Sequence, residues 1–187
     1  MAEEGWTGTP LLVAAVLGAV LLFWVLGAHN RLVAMRNGIA DAWSKVQQAL
    51  EQRGAAVEPL VAALREPMAA EQGALDSWVT AHAEATRAAA ALTARPVDEI
   101  RAQAWVAAEA ALAGAATRVL ALLDQQSELR AQDPVAALAA SWREGQARLP
   151  FARQLFNEAA GAYNEALGVF PTQIVASGFR LGRAGLI

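Results

Sequence analysis

The chain has 187 residues, no cysteine, two histidines and a formal net charge of −3. This excludes a disulfide framework, a cysteine nucleophile, a Cys-ligated zinc site and a three-histidine metal site within one chain. With a pI near 5.4 it gives no support to nucleic-acid binding. Hydrophobic residues make up 56% and mean hydropathy is +0.28, too apolar for a disordered chain and a sign that part of it lies outside water.

Residues 11–28 read LLVAAVLGAVLLFWVLGA, without a charge. With Pro10 included, about 19 helical residues cover about 28 Å, close to the hydrocarbon thickness of a bilayer. Trp6 and Trp24 stand near the two ends, where amphipathic rings settle. A cleaved signal peptide fits less well, because Glu3 and Glu4 make the leading flank acidic and the helical pattern continues past the run. The expectation is a short extracytoplasmic N-terminus over 1–9, a transmembrane helix over 10–28 and a helical domain over 29–187. No basic side chain precedes the span, whereas Arg31, Arg36 and Lys45 follow it, so the domain is expected on the cytoplasmic side. Ala14 and Gly18 form a small-xxx-small pair suited to packing against a second copy.

Beyond residue 30 no stretch alternates with period two. Roughly a quarter of the whole chain is alanine, the best helix former. Leu32, Ile39, Val46, Arg53 and Leu60 recur every seven residues, and Trp43, Leu50, Val57 and Leu64 form the companion series, as the a and d positions of a heptad do. Arg53 admits two readings. The ordinary one, which is the expectation, packs its stem and sends its head to solvent. The sharper one makes it a register-fixing residue or the partner of a carboxylate. No linker interrupts residues 10–65, so one helix of about 80 Å is expected to pass from the membrane into the domain, kinked at Pro59, with Pro67 ending it or starting a new one.

A second helix is predicted over 67–94, with Leu75, Trp78, Val79, His82, Ala89 and Leu92 on one face, and Arg95-Pro96 as the break. A third runs over 97–130, with Ile100, Leu112, Val119, Leu122 and Leu123 as its apolar positions. Asp133 reads as the N-cap and Pro134 as the first residue of a fourth helix, which extends to about residue 170 with a bend at Pro150. Its apolar face holds Leu138, Trp142, Leu149, Phe156, Tyr163, Leu167 and Phe170. The remaining tail is too apolar for a free end; it packs on the bundle or against the membrane surface. The fold class is all-α: a transmembrane helix continuous with the first helix of an antiparallel four-helix bundle.

Several residues carry side chains capable of chemistry. His29 and His82 lack a Glu or Asp three residues before them, so the di-metal bundle motif is missing. Ser44 has no His or Asp at helical spacing, and there is no phosphate loop or nucleophile elbow. Asp41, Glu51, Glu109, Glu144 and Glu158 read as solvated helix faces. Asn37, Asn157 and Asn164 are poor interior helix residues; they either make register-fixing interhelical hydrogen bonds or lie exposed. No catalytic residue, metal or cofactor is expected. The expected partners are the lipid bilayer, a protein and a second copy of the chain, but no nucleic acid.

Residues 30–39, NRLVAMRNGI, followed by Ala42, Trp43 and Ser44, resemble the opening signature of LemA family proteins, which includes Arg36 and Asn37. Gln52 and Arg53 match that family's Gln-Arg pair, and Leu60-Val61 a following Leu-Val. Near the far end Phe151, Ala152, Arg153, Gln154, Asn157, Tyr163, Asn164, Phe170 and Pro171 match a second block, and Phe179 a closing aromatic. The chain departs from the pattern at Glu58, Gln146, Pro150 and Phe156. The resemblance implies a bacterial single-pass inner-membrane protein with a cytoplasmic bundle and no established catalytic residues. It points to a membrane-anchored scaffold or adaptor. The alternatives are a membrane-remodelling role, since some relatives help to form magnetosome membranes, or an accessory subunit of a membrane hydrolase.

Overall fold

The structure, a computed structural model, describes residues 8–170 and 172–187, so Trp6 and Pro171 lie outside the described residues. It is all-helical, with a long apolar N-terminal helix continuous with a bundle. Helix α1 (Gly8–Gly54) has 47 residues, about 70 Å of continuous helix. Its leading part touches almost nothing: Leu11, Leu17 and Phe23 are 73%, 64% and 73% exposed. An apolar surface of this extent is far larger than a soluble monomer tolerates. Among the described residues one other helix is long and apolar enough to cross a membrane, α4 (Glu99–Asp124), but it places Trp105, Leu112, Val119 and Leu123 in the core. The segment at 11–28 is therefore the candidate membrane span.

From Leu32 onward the heptad positions are in use. Leu32, Ile39, Trp43, Val46 and Arg53 are all buried. The expected kink at Pro59 takes the form of a break. Proline has no N–H to offer the Ala55 carbonyl, so α1 ends at Gly54, a turn occupies 55–56, and α2 (Val57–Arg65) restarts with Leu60 donating to the Ala56 carbonyl at 3.1 Å. The apolar register survives the turn, because Val57, Leu60, Val61 and Leu64 are buried.

After a single 3-10 turn (Ala69–Glu71), α3 (Gln72–Ala94) leads back, held to α2 by Arg65, which reaches Gln72 at 3.0 Å and Asp76 at 2.8 Å. Arg95-Pro96 ends α3 as expected, and Asp98 caps α4 by accepting from the Arg101 N–H at 3.1 Å. The third predicted segment divides: α4 stops at Asp124 and α5 (Ser127–Arg130) follows, with Leu129 tucked in. Ile100, expected on the apolar face, is 79% exposed; Ala102 and Trp105 fill the inward positions instead. Helix α6 (Asp133–Gly168) begins one residue earlier than expected, with Gln132 as the cap residue and Asp133 inside the first turn. It runs helical through Pro150, whose ring lies on the exposed side. Helix α7 (Thr172–Gly178) and a tail over 179–187 complete the chain.

Side-chain contacts fix the topology. Trp43 meets Thr93, Trp105 and Phe156, whereas Arg53, ten residues further along α1, meets Glu109 and Gln146 and lies close to His82. Moving along α1 thus means moving backwards along α3 and α6 and forwards along α4. This is the antiparallel up-down-up-down order.

The interior divides into two cores. The one nearer the span combines Leu32, Ile39, Trp43, Trp105, Phe156 and Tyr163; the far one combines Leu60, Leu64, Leu75, Trp78, Leu123 and Trp142. Each apolar side chain of Leu size withdrawn from water contributes about 1.5–3 kcal/mol, so both halves are driven by burial.

Candidate functional site

Two polar arrangements interrupt this apolar packing. The first lies at the boundary of the two cores, where each long helix contributes a residue. Arg53 of α1 is 3% exposed and Glu109 of α4 is 5% exposed. The guanidinium forks onto the carboxylate, with Nη1 and Nη2 donating to Oε2 and Oε1 at 2.7 and 2.8 Å, and Nη1 also donates to Gln146 Oε1 of α6 at 2.9 Å. Its Cζ lies 5.0 Å from the Trp142 ring centroid, a cation–π distance. Arg53 sits in the last turn of α1, where the helix dipole favours a cation. Gly145 makes this approach of α1 and α6 feasible: a Cβ there would lie 2.8 Å from Arg53 Cα.

His82 of α3 stands beside this pair. A cleft of about 370 Å³ opens there between α1, α3 and α4, lined by Leu50, Arg53, Gly54, His82, Ala89 and Glu109. Burial first, then the nearby Arg53 charge, push the His82 imidazole below its ordinary pKa; Glu58 and Glu109 oppose them. The unfolded chain then binds more protons than the folded one between that lowered value and 6.5. The stability linked to His82 is therefore fully present above about pH 6.5 and is lost as pH falls through the window below it. Urea midpoints at pH 7.5 and 5.5 should show a smaller acid-side loss for His82→Gln than for the parent chain.

The second arrangement grips the tail. Asn157 accepts from the Ile187 N–H at 2.8 Å and donates to the Ile187 backbone oxygen at 2.6 Å. Asn164 does the same for Ala184, at 2.8 and 2.9 Å. Tyr163 adds a hydroxyl bond to the Gly182 carbonyl at 3.1 Å. The spacings agree: seven residues of helix advance about 10.5 Å, and three residues of extended chain about 10 Å. Each amide thus meets one residue's full backbone donor–acceptor pair. The tail runs antiparallel to α6 and lies against the start of α4, where a Cβ on Gly185 would stand 2.5 Å from Ala102 Cβ and 2.9 Å from Glu99 Cα. Burial raises the Tyr163 phenol above its ordinary pKa, with Arg36 working against it, so the hydroxyl remains a donor at neutral pH. Asn164→Ala should cost about 1–3 kcal/mol by orphaning both Ala184 backbone groups. Hydrogen exchange at residues 182–187 should accelerate well before that of the cores.

A family model described as the LemA family matches residues 42–186. The chain belongs to the LemA family. No curated protein matches it. The match begins after the NRLVAMRNGI segment, and the LemA motif residues fall into distinct places. Trp43 is buried between Trp105 and Phe156, its indole N–H donating to Thr93 at 2.9 Å. Gln52 lies on the exposed side and accepts from Arg148 at 2.9 Å. Arg153 lies 5.3 Å over the Trp105 ring. Arg36 and Asn37 are exposed, and Phe170 is 74% exposed. Ala14 and Gly18 lie on the open surface of the span.

Three expectations are corrected. Arg53 does not send its head to solvent; it is the partner of a carboxylate. Glu109 is not on a solvated face; it is that partner. Asn157 and Asn164 form no bond between helices; they hold the tail backbone. Gly145 drew no attention in the sequence, since one glycine in an alanine-rich helix carries no periodic signal. Among the described residues no group of three His, Cys, Asp or Glu side chains could hold a metal ion. The Ser44 hydroxyl bonds the Asp41 carbonyl of its own helix at 2.7 Å.

Proposed function

We propose that this protein is a non-catalytic scaffold of the bacterial inner membrane, anchored by one span, with the bundle in the cytoplasm presenting its surface to a protein partner or a second copy. The observation that carries this reading is α1, which leaves the exposed apolar segment and enters the bundle core without a break. A flexible tether would free the domain to diffuse about its anchor; an unbroken helix holds it at a fixed attitude. Arg31, Arg36 and Lys45 behind the span support the cytoplasmic placement. Arg53, the most deeply buried charge of the bundle, is engaged by Glu109 and Gln146, which suits bracing of helices better than turnover. Ala14 and Gly18 supply the small-residue surface through which two spans would meet.

The test is in-cell photo-crosslinking from Arg65 and Arg130, which stand at the bundle end away from the span and are 47% and 52% exposed. A defined protein adduct at these positions supports the scaffold. Adducts to lipid alone would refute it.

A further inference from the structure

We infer that α7 and its flanks form a second membrane contact, an apolar patch ringed by arginines that lies in the interface of an anionic lipid bilayer. The inference rests on the reading of residues 11–28 as a span. Helix α7 turns Thr172, Val175 and Ala176 inward. On its outer side Ile174 is 62% exposed beside Gln173 and Ser177, and its flanks add Val169, Phe170 and Phe179, which are 59%, 74% and 54% exposed. The patch has a defined height. Thr172 lines one small cleft with Trp24, Gly27, Ala28 and Arg31, and the Phe179 ring lies 4.5 Å from that of His29. These are the residues at which the apolar span ends, so a bilayer that covers residues 11–28 reaches α7 as well.

The charges agree. Residues 5–40 and 166–187 contain no Asp or Glu, and their charged side chains are Arg31, Arg36, Arg180 and Arg183, all exposed. Juxtamembrane arginines are attracted to an anionic leaflet. Arg180 is held at φ 51 in the turn that ends α7, where the Leu181 N–H reaches the Ala176 carbonyl at 2.9 Å. Glycine is the usual occupant of this left-handed position, because a Cβ there crowds the backbone. An arginine at such a site fits a side chain used for its charge. The contact stops short of the last residues of the tail, since Ala184, Gly185 and Ile187 are buried against the bundle.

Because the chain has no cysteine, single cysteines report unambiguously. Spin labels on Ile174→Cys, Val16→Cys and Lys45→Cys are placed in the full chain, one chain per phosphatidylcholine/phosphatidylglycerol nanodisc. Collisions with oxygen and with a water-soluble nickel chelate are then compared. The expected oxygen-to-nickel ratio at 174 is several-fold above that at 45, and it falls when phosphatidylglycerol is omitted. A ratio at 174 equal to that at 45, with 16 still in lipid, would overturn the patch and leave the anchor standing. Water-exposed labels at both 16 and 174 would overturn both. A label at 174 shielded from both reagents would show that protein rather than lipid covers the patch, and would also overturn the proposal.

Discussion

Arg53→Met in the full chain should lower unfolding stability in mild detergent by about 3–5 kcal/mol, the loss expected when one partner of a buried ion pair is removed. The methylene stem is largely conserved by methionine, so the effect isolates the charge. Glu109, 5% exposed, would be left without its counterion between two apolar cores. Glu109→Leu should cost a similar amount for the converse reason. The combined variant Arg53→Met/Glu109→Leu should recover most of the loss, because two packed apolar side chains need no counterion. Urea unfolding of the four chains gives the coupling directly. A double variant as unstable as the sum of the two singles would mean that the residues act independently.

Gly145→Ala should destabilise the bundle by about 1–3 kcal/mol or more, the range for overpacking a tight site. The added Cβ would meet Arg53 at 2.8 Å from Cα, 2.8 Å from Cβ and 2.9 Å from N. These are mostly backbone atoms, so no rotamer change relieves the contact, and α1 and α6 must separate. Separation would also lengthen the Arg53–Gln146 bond. Gly161→Ala, in the same helix, has no atom within 4 Å of the added carbon. It should stabilise by about 0.5–1 kcal/mol, the ordinary gain of alanine over glycine in a helix. Opposite signs at two glycines of one helix, read from thermal midpoints, separate close approach from helix propensity.

The elements that sequence periodicity revealed were those with large side chains at regular spacing. Leu32, Ile39, Trp43 and Val46 announced α1, and the run before them announced the span. Where alanine fills the interface the pattern fades, since alanine is compatible with either face. The apolar face of α4 was consequently misjudged at Ile100, which lies outside the contact stripe. Glu109 was illegible for another reason: whether a carboxylate is buried depends on what arrives opposite it, and its partner comes from a helix 56 residues away. Asn157 and Asn164 stood out as poor interior helix residues. Their partners could not be named, because backbone groups 30 and 20 residues onward carry no sequence signature. Asp133 was displaced by one residue, the usual scatter of helix boundaries.

The account depends most on α1 acting as one rigid mount that carries the bundle out of the membrane. Paired spin labels on Phe23→Cys and Ser44→Cys, both exposed positions on that helix, test it in a nanodisc by pulsed dipolar spectroscopy. Twenty-one residues of unbroken helix predict a single narrow distance centred near about 32 Å. A broad or shorter distribution would reveal a hinge between span and bundle and would contradict the rigid mount.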